Sequence, residues 1–177
     1  MPTLWTACEA YLIQARDLVD RLSPAQYDVA HANCFGASIG GHIRHCAEHF
    51  EIFRTGLEAG RIDYDARARG TADESDPVIA GERLGELAAW FSNHENIAEA
   101  GKAVQVQVNC GDSVCEWQGS TVGRELQFLV SHTVHHFAII GIMCEAQGIE
   151  LALNFGVAPS TLLAREMELE EQRAHRA

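Results

Sequence analysis

Between Ser120 and Gln147 apolar side chains recur at helical spacing with no proline to interrupt them. A run of that length predicts a long helix with one buried stripe, which then needs other helices to cover it. Three further stretches supply them. Leu4, Trp5, Cys8, Tyr11, Leu12, Ala15, Leu18, Val19 and Leu22 share a face and predict a helix over 4–22, ended by Ser23-Pro24. Ser38 is an N-cap candidate for a helix over 38–59, closed by Gly60, with Ile39, Ile43, Cys46, Phe50, Phe53 and Leu57 inward. Asp76-Pro77 opens a helix expected to reach about Ala100. Val104, Val106 and Val108 alternate with polar residues before Cys110-Gly111-Asp112-Ser113, so a small β-hairpin over about 104–117 is expected ahead of the last long helix. Residues 25–37 and 61–70 carry no period and read as loops, and Ser160 starts a last helix with a Glu/Arg-rich, frayed end. The expected fold class is all-α, a four-helix bundle with a hairpin insert.

Composition narrows the function. At 177 residues the chain matches one domain over 1–177, by a norm of about 150 residues per domain. With 25 acidic against 13 basic residues its formal charge is −12, so no basic patch recruits a phosphate backbone and nucleic acid is not an expected partner. No run of 18 apolar residues marks a membrane span, and the start lacks a signal-peptide layout, so the expectation is a soluble, cytoplasmic protein. Six cysteines without any Cys-x-x-Cys pair read as reduced thiols; Cys8, Cys46 and Cys144 sit among apolar neighbours, and a turn accounts for the closeness of Cys110 and Cys115.

Histidine is the unusual count, with nine in the chain and six of them in two short clusters. On an ideal helix with His132 at the origin, Glu125 falls at about 20°, His136 at about 40° and Leu129 at about 60°, all inside the apolar stripe; His135 lies toward its edge at about 300°. Two imidazoles buried one turn apart need partners. A shared divalent ion serves both, and hydrogen bonds to facing helices are the other solution. On the second helix His42, His45 and His49 form one flank. Measured from Ile39 they fall at about 300°, 240° and 280°, beside the stripe, so angle alone favours His42 or His49 over His45 as a third ligand. Two ligands from one helix and one from another leave positions open for water and substrate.

Ser38 followed by His45, with His132-Thr133-Val134-His135-His136 on the last long helix, resembles the DinB-like metalloprotein superfamily, relatives of the bacillithiol- and mycothiol-dependent S-transferases. The strings Gly123-Arg124-Glu125-Leu126, Tyr64-Asp65-x-Arg67-x-Arg69 and Phe155-Gly156-Val157-Ala158-Pro159-Ser160-Thr161 are similar to an uncharacterised bacterial branch of it. The resemblance spans roughly residues 38–162. It implies a bundle of up-down-down-up type and one divalent metal ion (Zn, Ni or Fe) held by His45, His132 and His136, with His42 or His49 as alternative or additional ligand. It also implies a homodimer.

An ion on three neutral imidazoles keeps its charge and acidifies a bound water or thiol. That suits a hydrolase, or an S-transferase whose partner is a low-molecular-weight thiol; the alternative is a non-enzymatic bundle in which the ion stabilises the fold or a dimer. Glu125 is the candidate base, an acceptor for a ligand's other N–H, or a fourth ligand, unless it is salt-bridged to Arg44 or Arg124. Tyr64, Arg67 and Arg69 either meet an anionic small-molecule substrate or form a solvated loop. Glu48 reads as a surface carboxylate.

Overall fold

The computed structural model describes residues 3–68, 70–93, 97–109, 111 and 115–175. Six α-helices and a small three-stranded sheet make up the described residues. The order is α1 (Leu4–Val19), α2 (Pro24–Asp28), α3 (Ile39–Ala59), β1 (Arg61–Asp63), α4 (Pro77–Ser92), β2 (Ala103–Gln107), β3 (Gln118–Thr121), α5 (Val122–Ala146) and α6 (Pro159–Ala174), with short 3-10 turns at Ala32–Cys34 and Ala72–Glu74. Side chains set the helix starts. Ser38 accepts from the Gly41 N–H at the head of α3, Asp76 from Val78 ahead of Pro77 in α4, and Thr121 from Arg124 in α5. Gly60 ends α3 with φ of 68°, the left-handed geometry that glycine adopts without strain.

Helix α1 packs along α4 and against α5, while α3 packs against α5 and α4. One apolar cluster joins them, built on Leu12, Leu18, Ile39, Phe50, Phe53, Leu84, Phe91, Leu129, Phe137 and Ile140. The first helix stops at Val19 rather than Leu22, and the segment after Ser23 forms α2 where a loop was expected, started by a Ser23–Gln26 capping box and Pro24. Helix α4 ends at Ser92, well short of Ala100, because Asn93 turns to extended geometry (ψ 113°) once the apolar stripe ends at Phe91. The hairpin is present as β2 antiparallel to β3, with Val104 opposite Ser120, but its second strand lies at 118–121. Its turn residues Cys110 and Asp112–Val114 lie outside the described ones. A third strand, β1, pairs parallel to β2 where a loop was expected; three residues are too few to display an alternation.

Helix α5 is long and apolar enough, by length and composition, to cross a membrane. In the fold it buries Val122, Leu126, Leu129, Phe137, Ile140 and Met143 against the other helices. Cys8, Cys34, Cys46 and Cys144 are free and buried, and burial pushes the Cys8 thiol up to about 12 and the Cys144 thiol to about 11. Cys115 departs from the expected reduced state: it is disulfide-bonded.

Candidate metal centre

The face of α3 that meets α5 is its histidine flank. The apolar stripe of α3 turns toward the shared core, and a helix packed between two neighbours has two buried directions. An angle measured from Ile39 credits only one of them, and His45 lies toward the other. In the structure all three flank histidines reach the rings of α5. His45 Nε2 lies 2.9 Å from His132 Nε2, and His42 Nδ1 lies 2.8 Å from His136 Nδ1. The His49 ring sits 4.2 Å from that of His132 and 4.4 Å from that of His45, centroid to centroid. His45, His132 and His136 each offer a nitrogen within 4.8 Å of the others, a set that could hold a metal ion. His135 is exposed and touches the ring of His136 only from outside.

Hydrogen bonds orient these rings. His49 Nδ1 donates to the His45 carbonyl at 2.8 Å, which leaves its Nε2 as the acceptor. Arg67 donates to His45 Nδ1 at 2.8 Å. The Nε2 of His42 is buried and has no hydrogen-bond partner among the described residues. Burial, reinforced by neighbouring imidazoles and Arg67, holds the His45 pKa down at about 2; burial is likewise the leading cause at His132 (about 4) and His136 (about 3). His42 and His49 are lowered for the same first reason. Five neutral imidazoles in one cluster are the protonation state that metal ligation requires, so the donor set fits a divalent ion.

A cleft of about 510 Å³ opens onto this cluster, with His42, His45, His136, Arg44, Glu74 and Gly36 among its walls. Arg44 is not free to meet a ligand there: it pairs with Glu48 and, at 3.0 Å, with Glu74. Glu48 is therefore a buried ion-pair partner, 3% exposed, rather than the expected surface carboxylate. Behind the cluster Tyr64 stacks on His49 at 5.4 Å and packs on Phe128 at 4.8 Å. Tyr64 is buried and supports the imidazoles from behind, so it is not at the mouth, and Arg69 lies outside the described residues.

Glu125 is buried beyond Phe128, where the Ser120 hydroxyl donates to it, and no ion pair to Arg44 or Arg124 is present among the described residues. It lines a second cavity of about 160 Å³ together with Tyr64 and Phe128. Arg67 follows β1 in irregular chain, and its contact with His45 has no local signal in the sequence because it depends on where β1 delivers the chain.

Three histidines from two packed helices beside a cleft define a helical protein with a potential metal centre. A family model of the DinB superfamily matches residues 13–140, and the chain belongs to that superfamily. FK506-binding protein 5 of Rhizopus delemar is 30% identical over 102 residues, covering 57% of this chain and 26% of that protein. The chain thus spans about a quarter of that relative's length. No solved structure matches the chain.

Proposed function

We propose that this chain is a metal-dependent enzyme that activates water or a low-molecular-weight thiol at a divalent ion held by His45, His132 and His136. The observation that carries the reading is the convergence of those nitrogens, within 4.8 Å of one another, with His45 and His136 on the wall of a cleft large enough for a small molecule. A bound ion would supply the positive charge that acidifies a water or thiol at neutral pH. The chain's own residues do the rest. The contact between His42 and His136 fixes the orientation of one ligand ring, as the second ring nitrogen of a ligating histidine commonly does. Tyr64 and Phe128 exclude water from the back of the cluster. The cleft admits the substrate from the front.

Within this proposal the four mutually packed helices α1, α3, α4 and α5 form one up-down-down-up bundle, in a single domain over 1–177. The protein is soluble, cytoplasmic and bacterial, with a small-molecule substrate, and it works as a homodimer without nucleic-acid or membrane partners. Zn, Ni and Fe all suit imidazole ligands. One observation favours a second reading, in which the ion only stabilises the fold or a dimer. His49 lies against both His45 and His132 and could close the coordination shell.

The test is untagged protein loaded with each metal and assayed for ester or phosphoester hydrolysis and for thiol transfer to an electrophile, beside melting curves with and without chelator. Metal-dependent turnover with a modest loss of melting temperature supports the enzyme. No turnover with a large loss supports the structural ion.

A further inference from the structure

Among the described residues Phe35 is the one non-glycine residue with a positive φ, at 58°. Its relative exposure is 105%, so the ring stands fully in solvent. Either property alone is unfavourable. Left-handed backbone crowds a Cβ that glycine lacks and that asparagine tolerates better, and an exposed aromatic ring forgoes burial. The loop nevertheless holds both. His31 N–H donates to the Ala37 carbonyl at 2.9 Å, and the His31 carbonyl accepts from Cys34 at 2.9 Å and Gly36 at 3.0 Å. Cys34 is buried, and the His31 ring meets the Gln147 amide at 3.0 Å. The tip is therefore fixed at both ends and from below. Its continuation, Gly36, Ala37 and Ser38, forms wall of the same cleft that holds His42, His45 and His136.

Strain that persists at the rim of a cleft points to a ligand clamp. We propose that Phe35 is a specificity residue for the reaction proposed above, covering the aromatic or bulky apolar body of a small-molecule substrate whose polar end reaches the histidine cluster. The proposal rests on that reading of the site. The polar wall is occupied, because Arg44 is held by Glu48 and Glu74. The cleft wall that adjoins Phe35 along the chain is Gly36 and Ala37, with Ala30 and the acidic Asp28 also in the lining, and the small residues leave space for an apolar body. An exposed ring changes rotamer within nanoseconds, so it can fold onto a bound body without moving the loop. The class of substrate selected is a thiol or electrophile carrying a ring or branched apolar group.

Phe35→Asn is the test, since asparagine accepts the left-handed geometry. Protein loaded with cobalt(II) is titrated with phenylmethanethiol and with ethanethiol, followed by thiolate-to-cobalt absorption. The unmodified protein is expected to prefer the aromatic thiol, and Phe35→Asn to shrink that preference roughly fivefold, the scale of one aromatic pair. Cobalt content should be unchanged and the melting temperature equal or higher. A preference that survives the substitution, or a melting temperature that falls, overturns the clamp while leaving the metal centre standing. So does conversion of a dimer to a monomer in sedimentation, which would make Phe35 a contact between copies. Absence of absorption with either thiol on cobalt-loaded protein overturns the clamp as a selector of thiols, whereas absence of bound cobalt sinks the metal centre and the clamp with it.

Discussion

His45 on α3 and His132 on α5 face each other with their Nε2 atoms 2.9 Å apart. Neither ring can be charged comfortably there, since burial and the neighbouring imidazoles drive both toward the neutral form. Two neutral imidazoles at that separation either share a proton or share a cation, and His136 brings a third nitrogen within reach.

His132→Ala should therefore strip the protein of metal, while His135→Ala should not, because His135 points to solvent from the same helix. Elemental analysis of untagged protein compares them directly. Equal metal content in the two variants would remove α5 from the site.

Acid should unfold the metal-free protein early. His45, His132 and His136 sit below their ordinary value of 6.5, at about 2, 4 and 3. A histidine depressed in the folded state leaves the unfolded chain binding more protons between its two pKa values, so the stability present above pH 6.5 is lost as pH falls through that window. Melting temperature should decline steadily from about pH 6.5 to pH 4 without metal and be shielded by a saturating divalent ion. A flat chelated profile over that range contradicts it.

Much of this arrangement could be read from sequence. The positions of His132 and His136 inside an apolar stripe followed from the helical repeat alone, and Ser38 marked the start of α3 because capping chemistry is local. His45 was harder, because which side of α3 meets α5 is a packing fact with no local signature. Arg67, the pairing of β1 with β2, and the burial of Glu48 against Arg44 all depend on contacts between segments distant along the chain, where no periodicity reports them.

Removing Arg67 should tighten metal binding. A guanidinium only donates, so its contact with His45 Nδ1 requires a lone pair there and places the ring proton on Nε2. Ligation through Nε2 requires the reverse tautomer, so ion and guanidinium compete for the ring. Arg67→Ala should raise zinc affinity by about tenfold or less, on the scale of one charge-assisted hydrogen bond. Competition against a chromophoric chelator measures it, and weaker binding in the variant would show that Arg67 supports the site instead.

Glu125→Ala decides what the buried carboxylate does. It accepts from Ser120 and lies outside the group of nitrogens within 4.8 Å. Loss of the carboxylate leaves that half-buried hydroxyl without its partner and should cost about 1 kcal/mol of stability. Metal content should stay intact. Metal loss at unchanged stability would make Glu125 a ligand after all.

Gly40→Ala tests how the cleft is held open. A Cβ at this position in the first turn of α3 would fall on the Glu74 carbonyl and the edge of the Tyr27 ring. The Tyr27 hydroxyl donates to the Asp73 carbonyl at 2.7 Å, and Asp73 pairs with Arg83, so the 72–74 turn cannot retreat without breaking both. That turn delivers Glu74 to Arg44 at the cleft wall, two residues from His42. The added methyl should therefore destabilise the fold by about 1–3 kcal/mol, as overpacking does, and in chemical denaturation the unfolding midpoint should drop. Metal affinity should fall with it, because the strain enters at the end of α3 that carries His42 and His45. An alanine variant with wild-type stability would mean that the turn and the helix are not locked together, and that the cleft owes its shape to something other than this contact.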